Sequence, residues 1–288
     1  MSYRPHNILV DRAAPRSEAW RLLLGMVLIA VLSLGFMGAW ILVQGKFAAS
    51  AATSGPLGSS PPQMALLLAA FLCPFLALTI VLRLLHKRGV LSLVGPVGQT
   101  LSDFIRVLGV MVAVVIVALL WPTPEGMEVQ RNMSTARWLS WLPVAVVVLF
   151  IQIGTEELIF RGYLQSQLAA RFRSPLVWIV LPSLMFALLH LDPAQGGNQW
   201  MVVGLTGLFA VLAADLTART GTLGAALAIH FANNFSSLLL VGAAGPMSGL
   251  ALFVIPIDIT DPALRPYYAV EAGLMILAWL GARIVLRR

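Results

Sequence analysis

The chain has 288 residues, of which 59% are hydrophobic and only 11% are charged, and its mean hydropathy is +0.89. A soluble domain carries about a quarter charged residues, so this composition excludes a soluble globular protein and indicates a polytopic membrane protein. The net charge of +7 would suit nucleic acid, but basic residues in membrane proteins mark cytoplasmic loops, and the aromatic residues lie in and beside apolar segments. We therefore exclude a nucleic-acid partner. A single cysteine, Cys73, excludes a disulfide within the chain.

Eight apolar segments approach the length of about 20 residues that crosses a bilayer. The sequence therefore predicts an all-α polytopic membrane protein of about eight transmembrane helices, with a buried site between helices. The first segment is too long for the apolar region of a signal peptide, so we predict a retained helix. The predicted spans are 20–44, 64–86, 101–121, 138–160, 175–192, 200–218, 222–244 and 267–286.

The segments between these spans divide the chain further. Residues 1–19 are predicted to be a cytoplasmic tail, and residues 20–137 hold the first three helices with their loops. Within that part, 46–63 is rich in Ala, Ser, Gly and Pro and predicts a flexible loop. Pro122 and Pro124 are predicted to end the third span, before a short surface helix or loop at 122–137. Residues 138–244 form the candidate catalytic core, and 245–288 comprise an ordered loop and the last helix.

The basic residues predict the orientation of the chain. Across eight spans, one side receives Lys46, Arg131, Arg137 and Arg265, and the other 15 of the 19 basic residues, Arg161 among them, fall on the opposite side. Since basic residues concentrate in cytoplasmic loops, both termini are predicted to be cytoplasmic, in a bacterial plasma membrane.

The most informative motif is Glu156-Glu157-x-x-x-Arg161, because it follows an apolar run. A charge in hydrocarbon costs at least about 2.5–3.5 kcal/mol, so an intramembrane ionisable group indicates a functional site. Glu157 and Arg161 are four residues apart and share a helix face, which predicts a supporting ion pair. Glu156 points about 100° away, toward a different neighbour.

Two further motifs lie on later apolar segments: Phe186-x-x-x-His190 and His230-x-x-x-Asn234. Taken singly, each polar residue fits a role as an interfacial or helix-bridging group. Taken together, Glu156 and His190 can deprotonate a water, while His230 and Asn234 can donate hydrogen bonds to an oxyanion. Two imidazoles and a carboxylate also resemble a zinc ligand set, so His190 and His230 are alternative metal ligands.

These three motifs, in this order on successive helices, resemble those of the CPBP family, the type II CAAX prenyl endopeptidases and bacteriocin-processing or immunity proteins formerly called Abi. The resemblance covers roughly 142–240. It implies an intramembrane endopeptidase whose site opens to the cytosol and which cleaves lipidated, membrane-anchored or hydrophobic peptides. By motif position, Glu156 and His190 activate the water, His230 and Asn234 hold the oxyanion, and Glu157, Arg161 and Phe186 support them. Both one zinc ion and no cofactor are compatible with the resemblance.

Two other functions are compatible with the same residues: a catalytically silent scaffold or immunity protein of the same fold, and an ion-coupled transporter. A transporter is disfavoured because the sequence shows no internal repeat. We expect Asp103, Arg106, Asp215, Arg219 and Glu271 to be interfacial pairs or anchors, since they lie near span ends.

The predicted spans contain one geometrical conflict. They place Glu156 near the cytoplasmic end of its helix and His190 near the outer end of the next, a mismatch on the order of 10 Å. A strong tilt, a longer helix through about Ala170, or a deep wet cavity would remove it.

Overall fold

The predicted helical fold is confirmed by the structure, a computed structural model that describes residues 3–48, 56–120 and 128–287. Six helical stretches of this part are long and apolar enough to cross a membrane: Ala19–Leu42, Pro61–His86, Val97–Ala118, Thr135–Arg171, Pro193–Thr220 and Pro262–Leu286. The helices are α1 (Asn7–Ala13), α2 (Ala19–Ala48), α3 (Pro61–Ala69), α4 (Leu72–Val81), α5 (Val97–Leu120), α6 (Thr135–Glu157), α7 (Gln165–Arg171), α8 (Leu181–Leu188), α9 (Gln199–Thr220), α10 (Gly224–Phe235) and α11 (Arg265–Leu286).

Each of the eight predicted spans contains helix, but in two of these spans the helix is shorter than the length of about 20 residues that crosses a bilayer. The fifth corresponds to an apolar helix over Leu176–Leu188, and the seventh to α10 with a π-helical turn at Ser236–Leu240. The exact number of eight spans is therefore not established. Pro122 and Pro124 lie outside the described residues, as do residues 49–55 of the predicted loop 46–63. Within the described part of that loop, 46–48 belong to α2 and 61–63 to α3.

The helix that carries the first motif is longer than the sequence predicts. A π-helical stretch at Leu158–Leu164 joins α6 to α7, so the helix is continuous from Thr135 to Arg171. The predicted end at residue 160 is wrong, and so is the assignment of Arg161 to a cytoplasmic loop, because this side chain is almost completely buried. The extension places Glu156 well inside the helix, as the longer-helix alternative predicted.

One end of the bundle is closed by the N-terminal segment. The Tyr3 hydroxyl donates a hydrogen bond of 2.8 Å to Asp215, near the C-terminal end of α9. The His6 ring packs on Trp178, with ring centroids 5.0 Å apart. The same Asp215 accepts from Trp279 of α11 at 2.9 Å, so α9, α11 and the N-terminal segment are fastened at this end, which we call the N-terminal end.

The opposite end is closed by a small sheet. Strands β1 (Gln130–Arg131) and β2 (Val241–Ala243) flank β3 (Phe253–Ile255), antiparallel and parallel to it respectively. The Asn198 amide donates to the carbonyls of Ile259 and Asp261 at 3.0 and 2.8 Å. The predicted loop 245–266 is thus ordered, as expected, and it fixes the beginnings of α9 and α11.

Helix α10 lies at the centre and packs against α5, α6 and α9. Its buried face consists largely of small residues, among them Ala225, Ala226 and Ala228. Gly224 directly faces the carbonyl of Thr100 in α5, where any Cβ would collide. Small residues let membrane helices approach closely, so α10, which carries the third motif, packs tightly against α5.

Candidate active site

The residues of the three motifs meet at one cavity of about 260 Å³. All four predicted catalytic side chains line it, together with Phe186, although they come from three separate helical segments. Its lining is Gln152, Glu156, Phe186, His190, Val202, Leu205, Thr206, Phe209, His230, Asn233, Asn234, Tyr268, Glu271 and Met275. Ionisable and polar side chains thus converge inside an apolar helical bundle. Placing such groups there costs free energy, which indicates a functional site.

Glu157 and Arg161 form a buried ion pair beside this cavity, as their spacing predicts. Arg161 Nη1 lies 2.9 Å from Glu157 Oε1, and the exposed fractions of the two side chains are 2% and 0%. The guanidinium carbon lies 4.7 Å from the ring centre of Phe186 and 5.5 Å from that of Phe209. The pair and the two rings therefore form one buried cluster beside the cavity.

His230 connects this cluster to Glu156. Its Nδ1 lies 2.7 Å from Glu157 Oε1, and its Nε2 lies 3.4 Å from Glu156 Oε2. A carboxylate held in an ion pair can only accept hydrogen bonds, so Nδ1 must donate to Glu157. The tautomer is thereby fixed, and Nε2 carries a proton only when the ring is a cation, with Glu156 as its counter-ion.

His190 enters the cavity from the C-terminal end of α8. Its Nδ1 lies 2.9 Å from the carbonyl oxygen of Phe186, one turn earlier, so Nδ1 donates to that oxygen and, in the neutral ring, Nε2 is the acceptor nitrogen. The rings of Phe186 and His190 are 4.8 Å apart between centroids. Phe186 also packs edge-on against Phe160 at 5.0 Å. Phe186 therefore fills the space between the ion pair and the two histidines.

Gln152 is a site residue that the sequence interpretation missed. Asn234 Nδ2 donates to Gln152 Oε1 at 3.0 Å, and Gln152 also interacts with the side chain of Glu156. Asn233 donates to Asn234 Oδ1 at 3.2 Å, which fixes which end of the Asn234 amide is the donor. Gln152 lies four residues before Glu156 and so shares its helix face. That spacing was the sequence signal that could have identified Gln152 as a site residue.

Glu271, which we expected to be an interfacial anchor, is instead a residue of the cavity lining. It lies in α11 one turn after Tyr268, and both side chains line the cavity. The other predicted pair, Asp215 and Arg219, does form an ion pair of 2.7 Å at the N-terminal end. Asp103 instead accepts a hydrogen bond of 2.8 Å from Thr222.

The donor set does not fit the alternative zinc site as the side chains are arranged. Among residues 3–48, 56–120 and 128–287, no three His, Cys, Asp or Glu side chains are close enough to hold a metal ion. His230 directs one nitrogen at each of two carboxylates, and Nδ1 of His190 is engaged by a carbonyl.

The cavity lies toward the end of the bundle that the sheet closes. On α9 its lining residues fall between Val202 and Phe209, in the first half of the helix, whereas 212–220 are all buried. On α11 they fall between Tyr268 and Met275, again in the first half. The second half of α9, which leads to the N-terminal end, is buried and contributes no residue to the cavity.

Fold and site together define an integral membrane protein with a glutamate- and histidine-lined cavity within its helical bundle. Residues 138–236 match the family model described as type II CAAX prenyl endopeptidase Rce1-like. All three motifs lie inside this segment, and the resemblance predicted from them is confirmed there.

A curated relative is similar to part of the chain: the uncharacterized protein YyaK of Bacillus subtilis (strain 168), which is 24% identical over 154 residues. The alignment covers 53% of this chain and 51% of YyaK, so the chain spans about half the length of the curated relative it matches. No solved structure matches the chain.

Proposed function

We propose that the protein is an intramembrane endopeptidase that hydrolyses a peptide bond in a lipidated, membrane-associated or hydrophobic peptide. The observation that carries this proposal is the convergence of Glu156, His190, His230 and Asn234 on one cavity. The family match over 138–236 supports the same class of chemistry. The proposal places the protein in a bacterial plasma membrane with both termini in the cytoplasm.

In the proposed reaction, a water held between Glu156 and His190 attacks the carbonyl carbon of the scissile bond. Glu156 takes the proton of the water as the new C–O bond forms. The carbonyl oxygen becomes an oxyanion, which accepts hydrogen bonds from the second N–H of the Asn234 amide and from Nε2–H of cationic His230. Collapse of the intermediate breaks the C–N bond, and Glu156 returns the proton to the leaving nitrogen.

Glu157 acts through His230 in this scheme. Its hydrogen bond with Nδ1 keeps the ring oriented, and the negative charge of the carboxylate stabilises the imidazolium form. Arg161 balances Glu157, so the buried set carries no uncompensated charge when Glu156 and His230 form a pair. No step of this scheme uses a zinc ion, because the arrangement of His190 and His230 does not fit a zinc site.

The test is cleavage of a quenched, hydrophobic peptide library by the purified protein in detergent. Glu156→Gln keeps the shape of the side chain and removes the base, so we expect cleavage to fall by about 10²–10⁴-fold. Glu128→Gln, a change at an exposed carboxylate outside the spans, is the matched control and should retain full activity.

A chelator arm separates the two chemistries. Activity that survives chelation supports the side-chain mechanism, whereas activity that chelation removes and zinc restores overturns it. Unchanged cleavage by Glu156→Gln would overturn the assignment of the base. Absence of cleavage by the wild type, with Glu156→Gln complementing a deletion strain, would favour the silent scaffold.

A further inference from the structure

The last helix adds a second carboxylate to the cavity. Glu271 lines it from α11, with Tyr268 one turn before and Met275 one turn after on the same helix face. Helix α11 lies outside the segment 138–236 that matches the family model. Glu271 is therefore a feature of this chain that the three motifs do not include.

Glu271 differs from the other carboxylates described in the spans because neither an ion pair nor a side-chain hydrogen bond holds it. Glu157 is paired with Arg161 and Asp215 with Arg219, whereas no described residue forms a salt bridge or side-chain hydrogen bond with Glu271. Its carboxyl group lines the cavity and is accessible to a molecule bound there. Unpaired carboxylates in transmembrane helices are rare and are typical of functional sites.

Neither histidine of the cavity forms a hydrogen bond or an ion pair with Glu271. His230 is engaged by Glu156 and Glu157, and Nδ1 of His190 by the Phe186 carbonyl. Tyr268, by contrast, is near enough to Glu271 for the two side chains to interact electrostatically. A carboxylate beside an aromatic ring suits an ammonium or guanidinium group, which gains a charge-assisted hydrogen bond and a cation–π contact.

We propose that Glu271 and Tyr268 form a subsite for a cationic group of the peptide substrate. The group is a Lys or Arg side chain near the scissile bond, or the free N-terminal ammonium of a short peptide. The inference rests on the proposed peptidase function and narrows its substrate class to hydrophobic peptides with a positive charge. A substrate carboxylate at the same position is repelled.

The experiment compares matched peptides with a common apolar sequence. Lysine, norleucine or glutamate is placed in turn at each position around the cleavage site, with a free or an acetylated N-terminus. We expect the wild type to prefer the best lysine peptide over its norleucine counterpart by at least tenfold in kcat/KM, chiefly through KM. Glu271→Gln should abolish the preference, and Glu271→Lys should invert it toward glutamate. Glu128→Gln should leave the preference unchanged.

The two sources of the charge give different results. A preference that acetylation removes identifies the N-terminal ammonium, and one that acetylation spares identifies a side chain. Equal cleavage of lysine and norleucine peptides by the wild type overturns the subsite. So does a lysine preference that Glu271→Gln retains.

A binding arm separates this inference from the proposed function. Anisotropy of labelled lysine and norleucine peptides is measured on Glu156→Gln protein, with and without Glu271→Gln. Charge-selective binding that requires Glu271, combined with no cleavage by the wild type, supports the subsite and refutes the peptidase. Cleavage or binding without charge selectivity refutes the subsite.

Discussion

Nε2 of His230 lies 3.4 Å from Oε2 of Glu156. A proton between these two atoms can belong to either residue, so the proposed base and the proposed oxyanion donor are directly linked. Residues that act as a unit give non-additive losses when they are replaced. We therefore expect Glu156→Gln and His230→Gln each to lower kcat/KM by about 10²–10⁴-fold. The double variant should be no worse than the poorer single variant. Losses that multiply would show that the two residues act independently.

The ion pair beneath His230 has a structural and a positioning role, which two variants separate. Glu157→Gln leaves Arg161 buried without a counter-charge, so we expect a loss of about 3–5 kcal/mol in unfolding free energy. Glu157→Gln combined with Arg161→Met removes both charges and should recover most of that stability. Activity should stay low in the double variant, because His230 lacks its anionic acceptor.

The measurements are thermal unfolding in detergent and peptide cleavage, made on the same preparations. Recovery of activity together with stability in the double variant would show that the pair has only a structural role. Glu18→Gln, which alters the partly exposed pair with Arg21, is a suitable control and should change the unfolding midpoint little.

Gln152 is expected to position Asn234 rather than to contact the reacting bond. Gln152→Leu removes the acceptor of the Asn234 amide, so we expect kcat to fall by about 10- to 100-fold, with KM nearly unchanged. Gln152→Glu retains an acceptor oxygen at that place and should recover part of the rate. If both variants lose the same activity, or if KM carries the loss, the positioning role is wrong.

Contacts between side chains of the same helix were predicted more successfully from the sequence than contacts between side chains of different helices. The pairs Glu157–Arg161 and Asp215–Arg219 followed from their spacing, because one turn of helix fixes their distance. The contact of Asn234 with Gln152 depends on how closely α10 approaches α6, and one sequence does not specify that distance. Glu271 was misplaced for the same reason, since only the packing of α11 brings it to the cavity.

The length of α6 was mispredicted for a different reason. An arginine after an apolar run resembles the end of a span, so the span was ended before Arg161. The structure instead neutralises this charge with Glu157 and two aromatic rings, and the helix continues to Arg171. Hydropathy alone does not distinguish a paired buried charge from one at the interface.

His6 predicts a pH dependence of stability. Burial lowers the pKa of His6 from 6.5 to about 4, and this residue lies before the first span. Above pH 6.5 the ring is neutral in both folded and unfolded protein. Between pH 6.5 and about 4 only the unfolded chain binds the proton, so stability falls as the pH falls, by about 3 kcal/mol in all.

The check is the unfolding midpoint of the solubilised protein between pH 8 and pH 4.5. His6→Phe keeps a ring against Trp178 and should flatten the decline below pH 6.5. Asp11→Asn, a change at an exposed carboxylate of the same helical segment, should leave the decline in place. An identical pH profile for His6→Phe and the wild type would contradict the prediction.

The position of the cavity predicts the side of the membrane from which it is reached. The basic residues predict cytoplasmic termini, and the cavity lies toward the end of the bundle opposite the N-terminal segment. Both statements together require an outward-facing cavity, whereas the family resemblance implies a cytosolic one. We expect Val202→Cys, at the cavity, to react with a membrane-impermeant maleimide on intact cells.

Leu91→Cys is the matched control, because Leu91 is exposed near the N-terminal end, where Arg12 bonds to its carbonyl. It should be labelled only after the membrane is permeabilised, and Cys73→Ser, at a buried position, provides the background for both. The reverse pattern would show that the termini face outward and the cavity faces the cytosol. Labelling of Val202→Cys by neither route would mean that water does not reach the cavity, and the proposed hydrolysis would then lose its nucleophile.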